Sequence, residues 1–557
     1  MAENTVRIIC ENTGADLHVA KGTSLLDVIN ILSLKNENGF LAAYVNNQVK
    51  ELRYNIYEPV SIRFIDITSY EGMRVYTRTL FFTLDKAVHD LFPGRRFRIK
   101  NSVSKGFYCE IDGIDKVSQE QIDAIRTRTA ELIEQNIPIV RERVLSSEAA
   151  EVYGRLGYED KLQLMRSRPR LYSTLYHLGD IAGYMFGPMA VSTGYLRLFD
   201  LRRYYNGIYI AVPCRTDPAR LEKMVPQDKM FEIFQEYKLW VSVLGVSTVG
   251  SLNQKILDGK ASELIKIAEA FHERKLARIA DQISDAVTTR GTKLVLIAGP
   301  SSSGKTTFAK RLGIQLRIFG LTPVLISLDD YFVDRDKTPR DENGEYDYES
   351  LHALDLATFS ENMTALFAGG SVDIPRYDFI SGKRQYHDKP LQLDEGSVLI
   401  IEGIHGLNPE LTQEIDPKFI FKIYISALTS ISLDNLSRIP TTDNRLLRRT
   451  VRDYSTRGAN ATDTLKRWEN VRRGEDKHIF PYQENADVMF NSSLFYEISV
   501  LRPFVEPMLH EVPDTVPEYA EAKRMLKFLE NFIPIKPDEI PPTSLLREFI
   551  GGSSFEY

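Results

Sequence analysis

Apolar and polar positions alternate along VRIIC and LHVA near the start of the chain, take a helical spacing from Ser24 to Leu32, and return to short strands at LAAYVNN and VSIRFID. Alternation with a period of two buries one face of a sheet, so these strands and their helix predict a small unit that ends at residue 67. Farther on, Ser118 followed by Gln121 has the spacing of a capping box and opens another helix. Residues 216–290 are charged and helical in pattern, with Ile267, Phe271, Ile279, Ile283 and Val287 recurring along one face. That stripe predicts a packing surface between two halves of the chain. Beyond it lie three unbroken apolar runs, KLVLIA, PVLISL and SVLIIE, which read as buried strands of a parallel sheet.

Length changes this picture first. A chain of 557 residues holds too much for one core, because single cores stop growing near about 250 to 300 residues, and three or four domains are expected. Hydrophobic content of 43 % with 26 % charge is that of a globular protein, and no run of about 18 apolar residues could span a bilayer. The N-terminus lacks a basic segment followed by an apolar stretch, so the expected location is the cytoplasm. A net charge of −6 speaks against nonspecific nucleic-acid binding by the whole chain. Cys10, Cys109 and Cys214 lack CxxC spacing and the nine histidines are scattered, so no local zinc signature exists.

The chemistry concentrates after residue 293. KLVLIA runs into Gly299-Pro300-Ser301-Ser302-Ser303-Gly304-Lys305-Thr306-Thr307 and then into a helical pattern. Glycines there let backbone N–H groups close around the phosphates of ATP, while the helix points its positive end at them. Lys305 adds a point charge, and Thr306 adds a hydroxyl for Mg²⁺. Asp329 and Asp330 follow the second strand, where a carboxylate beside the phosphate crevice can orient an acceptor hydroxyl, take its proton and help hold the metal. Asp329 is the expected base. Glu402 ends the third strand and is a second expected metal partner. In the run Arg445 to Asp453, Arg448 and Arg452 share a helix face; with Arg445, Arg449 and Arg457 they can fold over the triphosphate and offset transition-state charge, Arg448 catalytically.

These elements, in the order GPSSSGKTT, the carboxylate pair with its aromatics, IPRYDFISGKR, IIEGIH, RLLRRTVRD and ADVMFNSS, resemble the uridine kinase and phosphoribulokinase family of P-loop kinases over residues 291–500. The resemblance implies transfer of the ATP γ-phosphate to a sugar hydroxyl, with Asp329, Tyr331, Tyr377, Arg384 and Arg457 facing the acceptor. Two departures bear on that acceptor: Gly382 stands where uridine kinases carry a base-contacting His, and RGAN (457–460) where their lid reads RGRD.

Upstream, DITSYEGMRVYTRTLFF and AVHDLFPGRRFRIKNSVSKGFYCEIDG resemble the junction between the TGS domain and the second additional domain of threonyl-tRNA synthetases. In those enzymes that second domain edits mischarged tRNA around a metal. Carried over, its ligand positions fall on Phe82, Lys86, Met185 and Met189, none of them a good zinc ligand at neutral pH. The expected fold is therefore multidomain α/β and α+β: a β-grasp TGS unit (1–67), a synthetase-editing-like α+β domain without metal ligands (68–215), a helical connector (216–290), a P-loop kinase with a parallel sheet flanked by helices (291–500) and a C-terminal helical extension (501–557). The expected function is a nucleoside kinase using ATP and Mg²⁺. The alternatives are a kinase of another sugar, or an ATP-switched RNA-binding or regulatory protein. RNA or a small-molecule effector is the expected partner of the N-terminal half, no membrane is expected, and self-association stays open.

Overall fold

Along the first strand, Thr5–Cys10, Val6, Ile8 and Cys10 point inward while their neighbours face solvent, the burial that the alternation predicts. The computed structural model describes residues 4–340, 344, 346–378, 381–386 and 389–556, so Phe379 and Ile380 of the IPRYDFISGKR element lie outside the described residues. The first strand is second from the edge of a five-stranded sheet of order Ala15–Ala20, Thr5–Cys10, Val60–Ile65, Ala42–Val45, Gln48–Glu51. Thr5–Cys10 runs parallel to Val60–Ile65 and every other pairing is antiparallel. The helix Leu25–Ile31 starts at a Ser24/Asp27 capping box and buries Leu25 and Val28.

A long helix, Tyr70–Leu91, follows, and its inner face, including Val75, Leu80 and Leu84, shares a core with a four-stranded sheet ordered Asp200–Tyr204, Gly207–Ala211, Gly106–Ile111, Phe97–Val103. The expected Ser118/Gln121 capping box is present at the start of Gln119–Glu134. Phe82, Met185 and Met189 are buried in the same core, and Lys86 Nζ reaches Asp180 at 2.8 Å and also Asp90. The Lys86 ammonium thus bridges two carboxylates beside this core.

Between the halves the chain is less uniformly helical than its pattern suggests. Asp217–Leu221 is a strand paired with Pro213–Cys214, and helices run over Asp228–Val243, Val249–Leu257 and Ala261–Arg290. In the last of these, Leu264, Ile265, Ala268, His272, Leu276, Ile279 and Ile283 are buried, while Ile267, Phe271 and Val287 sit at the rim. A stripe counted at strict fours drifts about 40° per step around a 3.6-residue helix, so the expected face is correct only at Ile279 and Ile283.

The C-terminal half is built on a five-stranded parallel sheet of order Thr322–Ser327, Ser397–Glu402, Leu294–Ala298, Ile420–Ser426, Val488–Asn491. Leu294–Ala298 is buried at every position, as a central parallel strand must be. The helix Glu497–His510 runs through the expected boundary at residue 500, with its buried face in the core that includes Leu529 and Phe549. No described helix is long and apolar enough to cross a membrane.

Charge joins the two halves. Lys161 Nζ meets Asp434 at 2.6 Å with both side chains almost wholly buried, and donates to the Tyr184 carbonyl at 3.2 Å. Arg74 pairs with Glu521 at 2.8 Å, and Arg524 joins Glu521 to Asp443. Removing one partner of a buried pair strands the other, so Lys161→Met is expected to destabilise the protein by about 3 to 5 kcal/mol, and adding Asp434→Asn to recover much of that loss, both read by chemical denaturation. Thioethers, a phenyl ring and an engaged ammonium stand at the four positions onto which the synthetase resemblance carries its metal ligands, so elemental analysis of the purified protein is expected to find no stoichiometric zinc.

Candidate active site

The P-loop leaves the central strand Leu294–Ala298 and enters the helix Lys305–Ile318. A side chain at Gly299 would lie 2.0 Å from the Ile425 carbonyl, and Gly304 caps the helix at φ +84°, so the loop can pass this close to the sheet only with glycine at these points. Asp329 stands just past Thr322–Ser327, where Ser327 Oγ accepts from its backbone N–H at 3.3 Å. Glu402 ends the strand between those two, paired in register with Ser327 on one side and Ile297 on the other. One edge of one sheet therefore gathers Lys305, Thr306, Asp329 and Glu402.

These groups sense one another. Thr306 Oγ1 donates to Glu402 at 3.0 Å. Burial pushes the Glu402 carboxyl up to about 7 against the pull of Lys305, with Asp329 adding to the rise. Burial also raises Asp329, opposed by Lys305, Arg457 and Arg452. Two partly dry carboxylates and a hydroxyl form an all-oxygen donor set with too little positive charge around it, which fits a hard divalent cation such as Mg²⁺.

The arginine helix, Thr441–Thr456, lies over the P-loop, but its residues divide differently from the expectation. Arg448 is 0 % exposed, pairs with Glu497, and donates to the carbonyls of Ser492 at 2.9 Å and Ser302 at 3.4 Å. Arg445 is 1 % exposed, pairs with Glu475, and donates to the Ser301 carbonyl at 3.1 Å. Both charges are spent inside the protein, so Arg448 is a positioning residue and not the catalytic one expected, and Arg445 holds the loop. Arg449 donates to Ser301 Oγ at 2.8 Å and, with Arg452 and the exposed Arg457, surrounds Asp453. These three have charge to offer a polyphosphate.

On the acceptor side, Tyr331 is buried with its ring against Phe359 and its hydroxyl taking a bond from Asn362 at 3.2 Å, so it is a core residue and not the substrate contact expected. Arg384 pairs with Asp355 at 2.8 Å and donates to the Phe332 carbonyl at 3.2 Å, which braces the segment after Asp329. Tyr377 packs against Phe332 with ring centroids 5.5 Å apart. Gly382 has φ +69°, and a side chain there would strike Arg335 at 2.6 Å.

Four carboxylates emerge only from the structure. Glu475 accepts from Ser301 N–H at 3.1 Å, Glu497 holds Arg448, and Glu548 near the C-terminus accepts from Thr307 Oγ1 at 2.5 Å and its N–H at 3.4 Å. Burial pushes the Glu349 carboxyl to about 7; Glu475 and Asp329 add to the rise, and Arg449 and Lys305 oppose it. None of the four has a local motif, since their partners lie far away in sequence. The Glu-rich run before Ser350 offered the only signal for Glu349.

The parallel sheet, P-loop and edge carboxylates define a P-loop kinase domain. Residues 294–498 match the family model described as Phosphoribulokinase / Uridine kinase family. The N-terminal half is similar to threonine–tRNA ligases, at 28 % identity over 189 residues with that of Rubrobacter xylanophilus (34 % of this chain, 29 % of that protein) and 26 % over 190 residues with that of Clostridium kluyveri (34 % and 30 %). The chain thus spans less than a third of the length of these relatives. Among solved structures, it resembles a possible uridine kinase from Bacillus stearothermophilus (23 % identity, 39 % of this chain and 100 % of that chain, TM-score 0.24). It also resembles a D-glycerate 3-kinase from Cryptococcus neoformans (14 %, 47 % and 89 %, TM-score 0.20).

A carboxyl raised by folding stabilises the protein below its unfolded pKa, and that contribution is lost as pH rises through the folded value. The ligand-free Glu349→Gln protein should therefore gain stability relative to wild type as pH rises from about 4.5 to 7, and hold that gain above it, as thermal unfolding across pH would show.

Proposed function

We propose that this protein is an ATP-dependent nucleoside kinase that phosphorylates a ribose 5′-hydroxyl. The observation that carries the reading is the gathering of Asp329, Lys305, Thr306 and Glu402 on one sheet edge beneath Arg449 and Arg452. Lys305 and the backbone N–H groups of Ser302 to Thr306, with Ser301 and Thr307 flanking them, hold the β- and γ-phosphates of ATP. Thr306, Asp329 and Glu402 supply the oxygens for Mg²⁺, which when bound neutralises phosphate charge. Asp329 takes the proton of the acceptor hydroxyl as that oxygen attacks the γ-phosphorus and the bond from that phosphorus to the β–γ bridging oxygen breaks, releasing ADP. The raised affinity of this carboxylate for a proton suits a base. Arg449 and Arg452 offset the charge that builds on the transferring group, and Arg457 stands at the rim to close over it.

A second reading, a kinase acting on another sugar hydroxyl, is favoured by Gly382. A His at that position would strain the backbone and meet Arg335, so the base contact implied by the uridine kinase resemblance has no counterpart here. For the N-terminal half, the mixed five-stranded sheet with one helix supports the β-grasp, TGS-like reading, and the packed Phe82, Met185 and Met189 support a domain that has kept its shape without editing chemistry.

Incubation with ATP, Mg²⁺ and a panel of nucleosides and sugars is expected to consume ATP with a nucleoside and yield its 5′-monophosphate. Asp329→Asn should lower that rate by about 10² to 10⁴ while ATP affinity stays within a fewfold. Turnover with a non-nucleoside sugar alone would establish the second reading, and ATP-independent behaviour throughout would reject both.

A further inference from the structure

A cavity of about 700 Å³ lies where the synthetase-like region, the helix Asp228–Val243 and the kinase half meet. Neither the P-loop residues nor Asp329 and Glu402 line it. Its volume is in the range of sites for small organic ligands. Its walls are cationic: Arg438, Arg472, Arg215 and Lys100 all face it. The guanidinium groups of Arg438 and Arg472 make no ion pair within 4.0 Å and no hydrogen bond among the described residues, and act on carboxylates only through space, Arg438 on Asp443 and Arg472 on Asp476. Both lie against rings, Arg438 5.1 Å from Phe107 and Arg472 4.7 Å from Tyr70. Arg215 stacks on Tyr70 at 4.0 Å. Lys100 is 4.0 Å from Glu110, which Lys238 holds more closely at 2.6 Å.

Three carboxylates, Glu222, Asp476 and Glu484, also line the cavity, against six cations once Lys105 and Arg445 are added to these four. Such an excess of positive charge, partly removed from water, is costly unless an anion completes it. Burial lowers Arg438 to about 10 and Lys100 to about 8, the mark of that deficit. The arginine helix also begins here. Thr441 and Thr442 line the cavity at its N-terminus, where Pro440 offers no capping side chain; the Asp443 and Asn444 amides donate to the Pro440 carbonyl, which leaves those of Thr441 and Thr442 for an anion. Phe107, Phe234, Phe480, Met73 and Met230 complete the lining and suit a flat ring.

From this we infer that the cavity is a second ligand site, for a phosphate-bearing molecule with a planar ring and of mononucleotide size. The phosphate lies between Arg438, Arg472 and the helix N-terminus, and the ring lies among the aromatic and methionine side chains. The site communicates with the P-loop through Arg445, which lines the cavity and donates to the Ser301 carbonyl at 3.1 Å while pairing with Glu475. An anion that draws Arg445 toward the cavity leaves Glu475 uncompensated beside Ser301 N–H, where its charge opposes a nucleotide phosphate. Occupancy therefore weakens ATP binding.

The binding part of this inference is independent of the kinase reading and is tested without catalysis. Equilibrium dialysis of radiolabelled UMP and AMP is carried out on the full-length Lys305→Ala protein, whose P-loop cation is absent, with pyrophosphate as competitor. One mononucleotide per chain is expected to bind and to be displaced by pyrophosphate, with at least tenfold weaker binding when Arg438→Gln or Arg472→Gln is added. Arg472 lies on the helix Ala461–His478 with no side-chain hydrogen bond and no ion pair closer than its through-space partner Asp476, so its variant should keep the wild-type unfolding temperature if Arg438→Gln does not. In the chain with Lys305 intact, saturation of the cavity is expected to weaken ATP binding at least threefold, an effect absent from the Arg472→Gln protein. Mononucleotide binding unchanged in both arginine variants, or abolished by Lys305→Ala alone, would overturn the second site. Binding of tRNA but of neither mononucleotide would overturn the small-molecule assignment.

Discussion

Two buried arginine–carboxylate pairs hold the phosphate-binding loop in place, and the remainder of the site depends on them. Arg445 with Glu475 and Arg448 with Glu497 take four charges out of water; each arginine also donates to a P-loop carbonyl, at Ser301 and Ser302. An unpaired guanidinium would be untenable at that depth, and a free carboxylate would repel phosphate. Paired, they fix a loop whose own glycines give it little stiffness. The carboxylates come from the helices Ala461–His478 and Glu497–His510, so the shape of the loop depends on how those helices pack.

The arginine helix, Thr441–Thr456, is tied by charge to the other half of the chain. Its first turn contains Asp443, held by Arg524, which shares Glu521 with Arg74 of the long helix Tyr70–Leu91. The opposing charges raise Arg524 and hold Glu521 well below the usual carboxylate range, despite burial that works against both. A displacement of the N-terminal half is therefore felt at the start of the helix whose later turns supply Arg449 and Arg452. The cavity lined by Arg438 and Arg472 opens at that same first turn, so a ligand there would act where the two halves already meet.

Much of this was legible in the order of residues. Strand alternation at Thr5–Cys10, the capping boxes at Ser24 and Ser118, and the three unbroken apolar runs each correspond to an element at the expected place, because each depends on neighbours within a few residues. The P-loop and the carboxylates that close their strands were equally readable, since a parallel sheet brings the ends of its strands to one edge whatever the connections between them. The buried face of Ala261–Arg290 was misread by a fraction of a turn, because that helix is clasped from several sides and a single stripe does not describe it.

What the sequence determined by itself was local: which segments are strands or helices, where a phosphate can be cradled, and that Phe82, Lys86, Met185 and Met189 are of residue types that bind zinc poorly. Tertiary structure alone decided how each charge is used. Six arginines between 438 and 457 look interchangeable in one dimension, yet packing commits Arg445 and Arg448 to internal carboxylates, gathers Arg449 and Arg452 around Asp453, and leaves Arg438 facing a cavity lined by other cations and by aromatic rings. The difference arises because the energy of a charge depends on the water it has lost and the counter-charge it has gained. Both are set by partners such as Glu475 and Glu497, tens of residues away, which only the completed fold brings within reach.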